Sequence, residues 1–127
     1  MLPHGLPTVL LIDDELAAVD LYALAIGEHF RVLTARTATD GYALARSEKP
    51  DAIVMDMLLP DLHGLELSRR LLDDPQTASI PVIVLTGDDE SYVRAAATPF
   101  SAVLKKPSAI EDVLKALQTA TGASWVS

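Results

Sequence analysis

The sequence predicts a single α/β domain built on a parallel sheet. Short apolar runs alternate five times with segments of helical periodicity, the pattern of repeated strand–helix units. The runs are continuous and do not alternate with polar residues, as expected for strands covered on both faces. A chain of 127 residues fits one domain, large enough to bury roughly two-thirds of its unfolded surface.

The first strand is Val9-Leu10-Leu11-Ile12, which runs into Asp13-Asp14. Leu16, Val19, Ala23 and Ile26 then follow three- and four-residue steps until Gly27 ends the pattern. Phe30-Arg31-Val32-Leu33 is a weaker strand, and the interrupting Arg31 suits a sheet edge. Thr37 with Asp40 resembles a capping box ahead of Tyr42-Ala43-Leu44-Ala45, and Pro50 follows that helix. The third strand, Ala52-Ile53-Val54-Met55, runs into Asp56. Gly64 opens a helix through Leu65, Leu67, Leu71 and Leu72, closed by Asp73-Asp74-Pro75. The fourth strand, Val82-Ile83-Val84-Leu85, runs into Thr86. From Asp88 to Ala97 the apolar residues are few, and Pro99 cuts the segment off, so a short helix or an irregular, mobile segment is expected. Ala102-Val103-Leu104 runs into Lys105-Lys106-Pro107. The last helix has the plainest start: Ser108 to Glu111 reads as a capping box, with Ile110, Val113, Leu114 and Leu117 on one face. Residues 1–7 and 122–127 read as flexible extensions of a domain spanning 8–121, with Trp125 a candidate for docking.

Half the residues are hydrophobic and only 5% are aromatic, so the core must be mostly Leu, Val, Ile and Ala. The absence of Cys excludes a disulfide framework, thiolate chemistry and thiolate metal sites, and suits a reducing compartment. A formal charge of -8 argues against direct nucleic acid binding, which needs a basic patch. The start lacks a basic region followed by an apolar stretch, and nothing approaches the ~18 apolar residues of a membrane span. The expectation is a soluble, acidic, cytoplasmic domain with no membrane contact.

The polar residues that end the strands carry the chemistry. In open parallel sheets, ligands sit outside the carboxyl ends of the strands. Asp13-Asp14 suits the N-cap of the following helix, but two adjacent carboxylates ahead of a third repel unless a cation lies between them. Mg²⁺ (or Mn²⁺) fits, because it takes one or two carboxylates, keeps several waters and accepts phosphate oxygens. Asp56 ends a wholly apolar run, where a carboxylate is costly without a partner. It suits a turn or a cap, and equally a nucleophile towards phosphorus. Thr86 is a β-branched strand residue whose hydroxyl can donate to a phosphoryl oxygen. Lys106 precedes Pro107, which fixes the local backbone direction. That X-Pro bond is open to the cis form, whose base rate is about 5–6%. His4, His29 and His63 are scattered and expected to face solvent, with no orienting partner visible for His63. Asp61, Asp88, Asp89 and Glu90 read as turn or cap residues.

Taken in order, Ile12-Asp13-Asp14-Glu15, the segment Asp56-Met57-Leu58-Leu59-Pro60-Asp61-Leu62-His63-Gly64, then Val84-Leu85-Thr86-Gly87 and Lys105-Lys106-Pro107 resemble the receiver domain of two-component response regulators. The resemblance covers about residues 8–121. It implies a flavodoxin-like fold of strand order 2-1-3-4-5 with helices on both faces. It implies that Asp56 takes a phosphoryl group from a histidine kinase or histidine phosphotransfer protein. Asp13, Asp14 and Asp56 would bind the metal, with the backbone carbonyl of Leu58 completing its shell. Lys106 would pair with phosphoryl oxygens while Lys105 points elsewhere, and Thr86 would move towards the phosphoryl group to bias an inactive–active equilibrium.

Two departures stand out. The family usually has an aromatic residue three positions before the lysine, and here that position is Val103. The family also tends towards Gly-Ala where this chain has Pro99-Phe100. The expectation is signalling without an aromatic flip, through backbone shifts from Thr86 into the segment Asp88 to Phe100. The resemblance implies that Leu58, two residues after Asp56, borders the attacking water, and its bulk predicts a long-lived phosphoryl group. Two other functions fit parts of the pattern. A haloacid-dehalogenase-like phosphohydrolase would carry a second Asp where Leu58 stands and a cap segment to enclose substrate. A pseudo-receiver would never be phosphorylated, against which the complete acidic set and Lys106 argue. No output domain follows residue 121, so a stand-alone receiver or a fragment of a larger regulator or hybrid kinase is expected, with an unknown downstream protein target. A homodimer through the last helices is compatible with the sequence, though no charge pattern demands it.

Overall fold

The computed structural model describes residues 5–123; Trp125 and His4 lie outside them. The described chain alternates β1 (Thr8–Ile12), α1 (Leu16–Ile26), β2 (Arg31–Ala35), α2 (Ala38–Glu48), β3 (Ala52–Met55), α3 (Gly64–Asp73), β4 (Val82–Thr86), α4 (Asp89–Ala96), β5 (Ala102–Lys105) and α5 (Ile110–Thr121). The sheet runs β2-β1-β3-β4-β5 and every neighbouring pair is parallel. This is the flavodoxin-like order.

Because successive strand side chains point to opposite faces, each apolar run feeds two cores. Val9, Leu11, Val54, Ile83 and Leu85 pack with Val19, Tyr22 and Ile26 of α1 and with Val113 and Leu117 of α5. Leu10, Ile12, Ile53, Met55 and Val84 pack with Ala45 of α2, Leu67 and Leu71 of α3, and Ala95 of α4. Burial on both sides is why the runs do not alternate. β2 lies at an edge, as Arg31 suggested, and Arg31 forms an exposed ion pair with Glu48 at 3.3 Å.

Several local expectations need correction. In α1 the buried residues are Ala18, Val19, Tyr22 and Ile26, while Leu16 is 55% exposed. The helix is apolar nearly all round, so spacing could not decide which side faces the sheet. The capping box at Ser108 does not form. Ala109 is the N-cap and provides no side-chain cap bond, while the Ser108 hydroxyl donates to the Lys105 carbonyl at 2.6 Å. The helix starts one residue later than the spacing suggested, with Ala109 at the N-cap, so Ser108 lies outside the cap position. The segment after Thr86 takes the first of its two expected forms, a short helix of eight residues started by the Asp88 carboxylate accepting from Ser91 N–H at 2.8 Å. Thr37 does cap α2, accepting from Asp40 N–H at 3.1 Å.

Candidate functional site at the carboxyl end of the sheet

The backbone ladder continues one residue beyond three strands and so sets their last polar side chains next to one another. Asp13 N–H donates to Ala35 at 3.0 Å, Asp56 N–H to Ile12 at 3.0 Å, and Lys106 N–H to Thr86 at 2.9 Å. Three side chains distant in sequence therefore emerge at one edge. The Lys106–Pro107 bond is cis.

Lys106 Nζ donates to Asp13 Oδ2 at 2.5 Å and to Asp56 Oδ2 at 3.1 Å, with Glu15 Oε1 at 3.7 Å. Asp13 is 2% exposed, and the side chains of Asp56 and Lys106 are largely covered. Asp13 Oδ1 also accepts from Glu15 N–H at 3.0 Å, and Asp56 Oδ1 from Leu58 N–H at 3.2 Å.

One ammonium thus serves three carboxylates, and its energetics follow. Burial pushes the Asp13 carboxyl above the ordinary range; the Lys106 bond and the Glu15 amide oppose this, while the Asp56 charge adds to it. Burial works against the Lys106 charge, yet the bond to Asp13 and the Asp56 and Asp13 charges prevail and raise it. The lysine is over-supplied with anions and the carboxylates are under-supplied with cations. The surplus negative charge is what a divalent cation would neutralise, and the donors are all hard oxygens.

Not every expected residue joins this cluster. Asp14 is exposed, and among the described residues no three carboxylate or imidazole groups stand in ligating arrangement. The Thr86 hydroxyl is fully buried and accepts from Asp88 N–H at 3.4 Å. Lys105 pairs with Asp89, away from the cluster. Leu58 is 48% exposed beside Asp56.

Two residues matter more than their spacing indicated. His63 is not solvent-facing: it is half-buried, caps α3 by accepting from Leu65 N–H at 3.1 Å, and lies 3.4 Å from the Ser91 hydroxyl. Asp61 caps a different helix from the one it precedes. Its carboxylate accepts from Ala38 N–H at 2.8 Å, Thr39 N–H at 2.9 Å and the Thr39 hydroxyl at 2.7 Å. Gly64 also has a reason beyond helix initiation. A Cβ there would lie 2.8 Å from Met57 Cα and 3.0 Å from the Asp56 carbonyl, so only glycine lets α3 approach the Asp56 backbone this closely.

The family model of the response regulator receiver domain matches residues 9–118. The chain belongs to that family. It is 40% identical over 85 residues to protein PilH of Pseudomonas aeruginosa, covering 65% of this chain and 69% of PilH. It is 31% identical over 121 residues to the phosphate regulon transcriptional regulatory protein PhoB of the same organism, covering 91% of this chain and 53% of PhoB. The chain thus spans about half the length of PhoB. Its backbone matches the receiver domain of the sensor histidine kinase PA1611 from Pseudomonas aeruginosa with a TM-score of 0.80 at 22% identity, over 94% of this chain and 100% of that one. Among the described residues no helix is long and apolar enough to cross a membrane.

Proposed function

We propose that this receiver domain is a phosphorylation-controlled switch whose phosphoacceptor is Asp56. The observation that carries the reading is the Lys106 ammonium shared between Asp13 and Asp56 at the carboxyl end of the sheet. It supplies a nucleophilic carboxylate, an acidic neighbour and a cation within a few ångströms. An Asp56 oxygen attacks the phosphorus of a phosphohistidine on a histidine kinase or histidine phosphotransfer protein. The new P–O bond forms as the P–N bond breaks, and the imidazole nitrogen leaves with the electron pair. Lys106 then neutralises phosphoryl oxygens, and Thr86 turns from the Asp88 amide to donate to one of them. That movement biases an inactive–active equilibrium.

The PA1611 receiver is described with a magnesium ion coordinated in its active site cleft. The surplus of carboxylate over ammonium here suits such a cation, with Asp13, Asp14, Asp56 and the Leu58 carbonyl as its ligands. Bound Mg²⁺ would offset the repulsion between carboxylates and an incoming phosphoryl group. With a net charge of -8 the domain meets a protein target rather than nucleic acid, and its setting is the cytoplasm.

Incubation with Mg²⁺ and acetyl phosphate tests the reading. The expected result is a mass increase of one phosphoryl group that Asp56→Ala abolishes and chelation of the metal suppresses. Continuous turnover of acetyl phosphate would favour a phosphohydrolase. A protein that gains no mass, even beside an active histidine kinase, would be a binding module without phosphoacceptor chemistry.

A further inference from the structure

A chain of contacts leaves the Asp56 loop and reaches Thr86 by way of α4. Asp56 Oδ1 accepts from Leu58 N–H, and Leu58 pairs with His63 in an antiparallel bridge. The His63 ring then meets two helices, through Nδ1 with Leu65 N–H at 3.1 Å and through Nε2 with Ser91 Oγ at 3.4 Å. Ser91 N–H donates to Asp88 Oδ2 at 2.8 Å, and Asp88 N–H donates to Thr86 Oγ1 at 3.4 Å. One end of this path is the proposed phosphoacceptor. The other is the hydroxyl that would turn towards the phosphoryl group.

The contacts also place the ring's proton. A nitrogen that accepts from a backbone amide carries none, so the neutral imidazole holds its proton on Nε2 and donates to Ser91. Capping α3 needs only the Nδ1 acceptor, which Asn, Asp, Ser or Thr would supply as well. The second nitrogen reaches farther than any of those side chains, and it reaches the next helix. Ser91 is 3% exposed, so little water competes for its hydroxyl, and a lost partner there is more costly than at the surface. Val103 on β5, by contrast, brings no polar tip and packs beside the second apolar core.

We propose that His63 is a positioning residue that ties the phosphoacceptor loop to α4, so that α4 responds to the state of Asp56 through the His63–Ser91 contact. This rests on Asp56 being the phosphoacceptor and names how that site is coupled outward. When the Thr86 hydroxyl leaves the Asp88 amide, the first turn of α4 loses one restraint. His63 remains as the side-chain tie between the loop and the helix.

Two variants divide the roles of the ring. His63→Asn keeps an acceptor for the Leu65 amide but is too short to reach Ser91, and Ser91→Ala leaves the α3 cap untouched. Both variants should fold and gain the phosphoryl group from acetyl phosphate and Mg²⁺, read by mass. The decisive readout is amide exchange over residues 89–96 with and without phosphorylation. The wild type should show a several-fold change, each variant should lose most of it, and the double variant should lose no more than either alone. A wild-type response in either variant overturns the proposal. So does a phosphorylated wild type whose α4 exchange stays constant, which leaves the phosphoacceptor reading intact. A wild type that gains no phosphoryl group overturns that reading instead, and the coupling with it. Imidazole nitrogen NMR of the unmodified protein is an independent check: an Nδ1-protonated ring overturns the Ser91 tie whatever Asp56 does.

Discussion

Helices α2 and α4 cover the same face of the sheet and are held to it very differently. α2 is tied at both ends by side chains from outside the helix. Asp61 binds its first turn, and Asp74 binds Tyr42 Oη and Arg46 Nε, each at 2.6 Å. Its Gly41 lies so close to the sheet that a Cβ would meet Ile12 Cδ1 at 2.5 Å. α4 has eight residues to the eleven of α2, buries only Ser91 and Ala95, and its side-chain hydrogen bond to the α3 side is the His63–Ser91 contact. Its ion pair, Lys105 to Asp89, is exposed and contributes little. Local stability in a fold is uneven, and segments that move are drawn from its weaker end. The helix that follows Thr86 is the weakly held one. The half carrying Asp13, Asp56 and α2 is a platform against which it can shift.

The largest effect should come from breaking that platform at Lys106. Lys106→Met leaves Asp13 and Asp56 buried without their cation and should cost about 3–5 kcal/mol in urea unfolding without Mg²⁺. Adding Asp13→Asn should recover part of the loss, since the two sites share one interaction. Next is Gly64→Ala, which drives a methyl against the Asp56 backbone and should cost about 1–3 kcal/mol, with slower phosphorylation as the mark of a displaced carboxylate. A full-stability Gly64→Ala protein would show that α3 can retreat from the loop. Leu58→Asn opens the exposed side of Asp56 to water and should speed dephosphorylation on the order of tenfold, or ~1.4 kcal/mol in barrier. An unchanged lifetime would end the shielding role of Leu58.

The smallest effect tests the α2 anchor. The Thr39 hydroxyl and the Ala38 and Thr39 amides hold the Asp61 carboxyl down at about 2. A depressed carboxyl stabilises the fold above its ordinary unfolded value near ~3.9 and loses that contribution as pH falls through the folded value. Asp61→Asn should therefore lower the urea midpoint at pH 7, and the two proteins should converge as pH falls towards 2. Exchange at residues 38–40 should rise in the variant while residues 89–96 stay unchanged. A shared response would mean that the two helices are not independently anchored.

The strands and the main cluster were legible because burial on both faces writes itself into consecutive residues. A run such as Ala52–Met55 leaves no alternative to a central strand, and Asp56 after it marks the sheet end. Phase around α1 was not legible, because a helix apolar on all sides carries no moment to orient it. Nor were the partners of His63 and Asp61, which are 28 and 22 to 23 residues away, although Asp61 was legible as a cap. Ser108 had the right spacing for a cap, but the helix begins one residue later, with Ala109 at the N-cap.

The sequence by itself determined the alternation of elements, the parallel sheet and which polar residues stand at strand ends, since these follow from local periodicity and burial. The tertiary structure decided what those residues touch. It set Lys106 between Asp13 and Asp56, left Asp14 exposed, and turned Thr86 to Asp88 and His63 to Ser91. Such contacts depend on strand order and helix orientation, which pair residues far apart in the chain, and no local pattern encodes the distance between them.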